Sequence, residues 1–183
     1  MRPDVSIIPF GGKTPQIADS AFIAPGCRII GDVVIGEDAS IWYNCVLRGD
    51  VDRISIGARS NIQDGTIIHA DYGVPTTIGE DVLIGHMVML HGCILHDRAF
   101  IGLSSIVMNA CVIEGDGMLA AGAMLTSGKR IATRELWGGS PARKMRDLDD
   151  AAIFGMRAGT AHYVENGRRH QAALTANSTT ETP

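Results

Sequence analysis

The sequence predicts a parallel β-helix closed by a terminal α-helix, and three observations carry that prediction. An aliphatic residue recurs every sixth position over most of the chain. Small residues stand beside it: Gly36, Gly57, Gly79, Gly85 and Gly102. After about Asp147 the six-residue pattern gives way to apolar residues spaced for one helical face.

The repeat starts near Ile17 and runs Ile17, Ile23, Ile29, Ile35, Ile41, Leu47. After an insertion it resumes at Ile56, Ile62, Ile68, and after a second at Ile78, Ile84, Leu90. One short step leads to Leu95, then Ile101, Val107, Ile113, Leu119, Leu125. A fixed short period marks a solenoid and outranks any local assignment. A helix would need an apolar residue every three or four positions, and these stretches do not supply it. Each hexapeptide forms one flat face, and three faces close a coil. About eighteen hexapeptides give roughly six coils, enough to bury a continuous core. The glycines are expected at tight corners.

The β-helix is expected over 1–135. The segment Arg134–Lys144 reads as a turn-rich crossover, and a helix is expected from about Asp147 to His170, with Leu148, Ala152, Ile153, Met156 and Tyr163 on its packed face. Gly155 and Gly159 weaken that helix, so it needs the solenoid to pack on. Residues 171–183 lack apolar periodicity and read as a disordered tail.

Composition narrows the functional classes. Of the 183 residues, 45% are hydrophobic, enough for one domain with a substantial core. A net charge of -4 argues against a nucleic-acid surface. There is no apolar run long enough to span a membrane and no secretory leader, so a cytoplasmic protein is expected. Cys27, Cys45 and Cys111 fall on the small-residue position of the repeat and Cys93 lies close to it, which reads as packing. With no CxxC pair, the cysteines signal neither a thiolate metal site nor a redox motif.

The histidines are the chemical signal. His69 follows Ile68, and His91 follows Leu90 three hexapeptides later, which is one coil. The two should stack on one edge, about 4.8 Å apart, pointing outward. His86 lies near another corner and cannot reach a metal held by that pair within one chain. If three solenoids pack around a threefold axis, one subunit's His86 can face the next subunit's His69 and His91. Three imidazoles with an open fourth position is a catalytic zinc pattern. Arg48 falls on the His69 column, and Gln63 and Asp64 on the His86 column. Arg48 is expected to pair with Asp50 or Asp64 across that interface. His96, His162 and His170 are read as solvated surface residues.

Together, Arg48-Gly49-Asp50, Asn61-Ile62-Gln63-Asp64, His69, Gly85-His86, His91-Gly92-Cys93 and Gly139-Ser140-Pro141-Ala142-Arg143 resemble the motif set of γ-class carbonic anhydrases. The resemblance spans about residues 10–165. It implies a left-handed parallel β-helix, a homotrimer, and Zn2+ (or Fe2+ or Co2+) held by His69, His86 and His91. It implies hydration of CO2 to bicarbonate by hydroxide formed on the metal, with Gln63 and Asn61 orienting the reactants. Arg48, Asp50 and Asp64 would fix the interface.

Two positions depart from the best-known members. Val51 stands where they carry a Glu after the Asp, and Tyr72 lies near the place of their loop Glu. The proton route then falls to buffer, Asp71, or Tyr72 with Tyr163. Two other expectations stay open: an acyl-CoA thioesterase or acyltransferase on the same scaffold, and a non-catalytic metal-binding trimer.

Overall fold

The computed structural model describes residues 4–178. Short parallel strands stack along three faces of a solenoid. The first face is Phe22–Ile23, Ser40–Ile41, Asn61–Ile62, Leu83–Ile84, Phe100–Ile101, Met118–Leu119 and Glu135–Gly139, in that order. That makes seven coils, one more than the repeat suggests. The other two faces join in one sheet through Val46–Ile56, which runs around a corner. It pairs with Ile67–His69 at one end and with Thr76–Ile78 at the other.

The inward positions are those the repeat marks. Ile29, Ile41, Leu47, Ile62, Ile68, Ile84, Leu90, Ile101, Val107, Ile113, Leu119 and Leu125 are fully buried. All four cysteines are buried free thiols within this core. The repeat also continues past Leu125. Ile131 is fully buried one step on, and Trp137 packs on the core another step on. The expected crossover is therefore a strand pair. Glu135–Gly139 stacks on Met118–Leu119, and Ala142–Asp147 returns antiparallel beside it.

The corners separate two roles that sequence reading merges. From Arg98 on, every sixth residue has a positive φ: Arg98, Ser104, Ala110, Asp116, Gly122, Gly128, Arg134. Most of these are not glycine. Glycines such as Gly57 and Gly102 come two residues before a corner residue and have no such φ. A Cβ on Gly57 would collide with the backbone of Gly79, and one on Gly102 with that of Ala121. Their role is close approach between coils, not the turn itself.

The helix, Asp150–Ser178, lies along the first face. Asp149 caps it, its carboxylate accepting from the Ala152 N–H at 2.8 Å. Leu148, Ile153 and Met156 pack on Phe100, Met118 and Leu136 near the last coils. Tyr163 and Leu174 pack on Phe22 and Trp42 at the first. Arg157, two turns into the helix, pins its N-terminal part: Nη2 donates to both oxygens of the buried Asp116 carboxylate at 3.0 and 3.1 Å, and Nε to Oδ1 at 3.3 Å. The helix thus continues eight residues past His170, where a disordered tail was expected. Gln171, Ala172, Ala173, Leu174 and Ala176 are good helix formers, and Leu174 reaches an aromatic cluster that holds it. The rest of that expected tail, 179–183, lies outside the described residues. No helix among the described residues is long and apolar enough to cross a membrane.

Candidate metal centre

The stacking register builds the site. Arg48 pairs in register with His69, and His69 with His91, so the three stand on one edge of consecutive coils. The rings of His69 and His91 meet at 4.9 Å between centroids. His69 Nδ1 faces His91 Nε2 at 2.9 Å. Behind them, His69 Nε2 lies 3.0 Å from Asp50 Oδ1, and His91 Nδ1 lies 2.5 Å from Asn109 Oδ1. Thr76, fully buried, ties the two strand ends together. Its hydroxyl donates to the His69 carbonyl at 2.6 Å and accepts from the Gly92 N–H at 2.9 Å.

A carboxylate only accepts, so His69 donates to Asp50 from Nε2 and presents Nδ1 as a lone pair. An imidazole backed by a carboxylate in this way is suited to ligate a metal. Two nitrogens on one tetrahedral zinc would stand about 3.3 Å apart, given Zn–N distances of about 2.0–2.1 Å. The His69–His91 spacing of 2.9 Å is a hydrogen-bond distance, about 0.4 Å short of that value. These residues fit a divalent cation as two of its ligands. Among the described residues no three such side chains of one chain form a complete metal-binding group.

His86 stands apart. Ile84 pairs with Ile62, which sets His86 beside Asp64, and its Nδ1 lies 2.8 Å from Asp64 Oδ2. Both are substantially exposed. On the same column Gln63 and Asn61 are buried, and Gln63 Nε2 donates to Asn61 Oδ1 at 3.1 Å.

Asp50 is the best-anchored charge. Burial works against its ionised form, but hydrogen bonds from Arg48 and His69 outweigh that and hold the carboxyl below the usual range. Arg48 donates to both Asp50 oxygens, at 2.9 and 2.7 Å. This pair lies within one chain, two residues apart. The extended strand puts residues 48 and 50 on the same face.

Several expectations land elsewhere. Tyr72 tips the turn bridged by Asp71 and Val74 and is 88% exposed, so nothing holds it toward the histidines. Tyr163 packs edge-on against Trp42, and burial raises its hydroxyl pKa. His170 is not simply solvated, because the longer helix carries it onto the first coils. There its Nδ1 lies 2.9 Å from the Tyr43 hydroxyl, with the ring against Trp42. Sequence reasoning missed Thr76 and Asn109. Column arithmetic places Met108, not Asn109, after His91, so Asn109 is found only one residue beyond the column. An apolar hollow of about 360 Å³ opens beside His91 and Asn109, lined by Met89, Ile106, Val107 and Met108.

Comparison with known proteins agrees with this architecture. The family described as "Bacterial transferase hexapeptide (six repeats)" matches residues 14–49. The carbonic anhydrase of Geobacillus kaustophilus is 44% identical, over 91% of this chain and 91% of that protein. The mitochondrial gamma carbonic anhydrase 1 of Arabidopsis thaliana is 42% identical over 87% of this chain, which spans only 60% of the plant protein. A crystal structure titled a hexapeptide transferase family protein from Anaplasma phagocytophilum superposes with a TM-score of 0.86 at 45% identity, covering 89% of this chain and 96% of that one. A parallel solenoid with this pattern of stacked histidines, 44% identical over nearly its whole length to a carbonic anhydrase, belongs to the γ-class carbonic anhydrase family of hexapeptide-repeat proteins.

Proposed function

We propose that this chain is the subunit of a homotrimeric, metal-dependent carbonic anhydrase that interconverts CO2 and bicarbonate in the cytoplasm. The observation that carries the reading is the facing His69–His91 pair, braced by Asp50, with His86 held by Asp64 on a different corner. In a trimer His69 and His91 of one subunit and His86 of the next would hold the metal, zinc or another divalent ion such as Fe2+ or Co2+. When bound, such a metal lowers the pKa of water toward 7 and supplies hydroxide at neutral pH.

The chain's own residues do the rest. Gln63 spends an N–H on Asn61, which leaves its carbonyl oxygen to accept a hydrogen bond from the attacking oxygen nucleophile and so orient its lone pair. The hollow walled by Met89, Ile106 and Val107 suits a small apolar substrate such as CO2. The released proton passes to buffer or to the Asp71 carboxylate on the exposed turn. Four free cysteines accord with a reducing compartment.

An outward apolar ladder supports the trimer. Val46, Ile67, Met89, Ile106 and Met124 stack in register, each one or two residues from the histidine edge. Ile67, Met89 and Ile106 are each just over 40% exposed in the single chain. A row of this kind on a monomer surface marks an interaction site.

Stopped-flow hydration of CO2 on protein loaded separately with zinc and iron(II) tests the activity. Hydration well above the metal-free control, abolished in His91→Ala, is expected. A fully loaded trimer with no hydration contradicts it. The transferase description of the solved relative makes acyl-CoA turnover the comparison assay, with no turnover expected.

A further inference from the structure

We infer that Asn109, oriented by Asp71, is a positioning residue that fixes the tautomer of His91. The inference rests on the metal-site reading above and adds to it a pair of residues that come from outside both histidine columns.

His91 is not backed by a carboxylate as His69 is. Its Nδ1 meets a side-chain amide, and an amide can present either an acceptor oxygen or a donor NH2. The two choices have opposite consequences. An oxygen at His91 makes Nδ1 the protonated nitrogen and leaves Nε2 a lone pair facing His69. An NH2 there makes Nδ1 the acceptor, puts the proton on Nε2, and blocks that nitrogen as a ligand.

Asp71 decides between them. Asn109 Nδ2 donates to Asp71 Oδ2 at 2.9 Å. A carboxylate cannot accept from an amide oxygen, so the NH2 end must face Asp71 and the oxygen must face His91. Two neutral imidazoles then point lone pair at lone pair across 2.9 Å. A shared proton or a shared metal cation satisfies that arrangement, and by keeping the proton off Nε2 the Asp71–Asn109 pair leaves His91 ready to act as a ligand.

The turn that carries Asp71 is itself held. The Gly73 N–H donates to Asp52 at 2.9 Å, and Asp71 and Val74 exchange backbone hydrogen bonds. Asp52 thus holds the turn, Asp71 on that turn holds Asn109, and Asn109 alone meets the ring nitrogen.

The test reads the tautomer directly. Long-range 1H–15N spectra of the metal-free protein, at about pH 8.5 where an ordinary imidazole is neutral, report which His91 nitrogen carries the proton. The chain as it stands and Asn109→Asp should show the proton on Nδ1, because both keep an acceptor there. Asn109→Leu, and Asp71→Ala as a milder change on an exposed turn, should shift the population toward the Nε2-protonated form. In chelator competition both should bind zinc about 10–100-fold more weakly, with Asn109→Asp restored to within a few-fold.

An unchanged His91 tautomer in folded Asn109→Leu and Asp71→Ala overturns the inference, whatever the metal does. Failure of the unaltered protein to bind zinc, with the tautomer shift present, overturns the metal-site reading and leaves the tautomer assignment standing.

Discussion

Thr76 shows how a residue without catalytic chemistry can hold a site together. Its two hydrogen bonds tie the His69 carbonyl to the Gly92 N–H, so the two histidine strands leave the core in a fixed relation. Removing both in Thr76→Val should cost about 1–2 kcal/mol in urea denaturation and weaken metal binding, while Thr76→Ser should keep both. The thiols make a second residue-scale case. Burial pushes the Cys93 thiol up, and the Cys27 hydrogen bond together with burial pushes Cys45 up. With all four buried, a thiol reagent should label none in the native protein at neutral pH and four after denaturation. The histidines were legible in the sequence because a six-residue period fixes where each points. Thr76 was not, because it follows an insertion where the phase is lost. Asn109 was not, because it reaches back to His91 from outside the column.

At the scale of elements, the inward positions were legible because one large aliphatic side chain per face is all a coil can enclose. The same arithmetic extends past Leu125 to Ile131 and Trp137, and at Trp137 an aromatic replaces the aliphatic residue beside a Gly-rich turn. The helix end was misjudged for a different reason. Residues 171–176 carry only one large apolar side chain, and the aromatic cluster that holds Leu174 belongs to the other end of the chain. Loss of the Arg157 anchor in Asp116→Ala should cost about 1.5–3 kcal/mol and raise the rate of proteolysis within the helix. The strand pair at the last coil has a pH signature. Hydrogen bonds from Lys144 and Trp137 hold the Glu135 carboxyl below its ordinary value. A depressed carboxyl stabilises the fold above its unfolded pKa of about 4.3, and that contribution is lost as pH falls through the lower folded value. Acid titration should loosen this pair, and Glu135→Gln should flatten that part of the stability profile.

For the whole molecule, a single chain contains two-thirds of the proposed ligand set on one edge and the remaining third on another. In the proposed trimer that division would make assembly part of the chemistry and not only of stability. The histidine placement was legible because the columns can be counted without coordinates, and a proposed ligand set that no chain can complete alone points to a neighbour. The most direct test is subunit complementation. His86→Ala and His91→Ala proteins are prepared separately, then unfolded and refolded together. If the site is shared, each variant alone binds no metal tightly and hydrates no CO2. The mixed trimers should regain metal and activity at up to about a third of their interfaces, because one junction per mixed ring pairs intact His86 with intact His69 and His91. Full metal binding by either variant alone, or mixed trimers that recover none, would contradict a metal centre built between subunits.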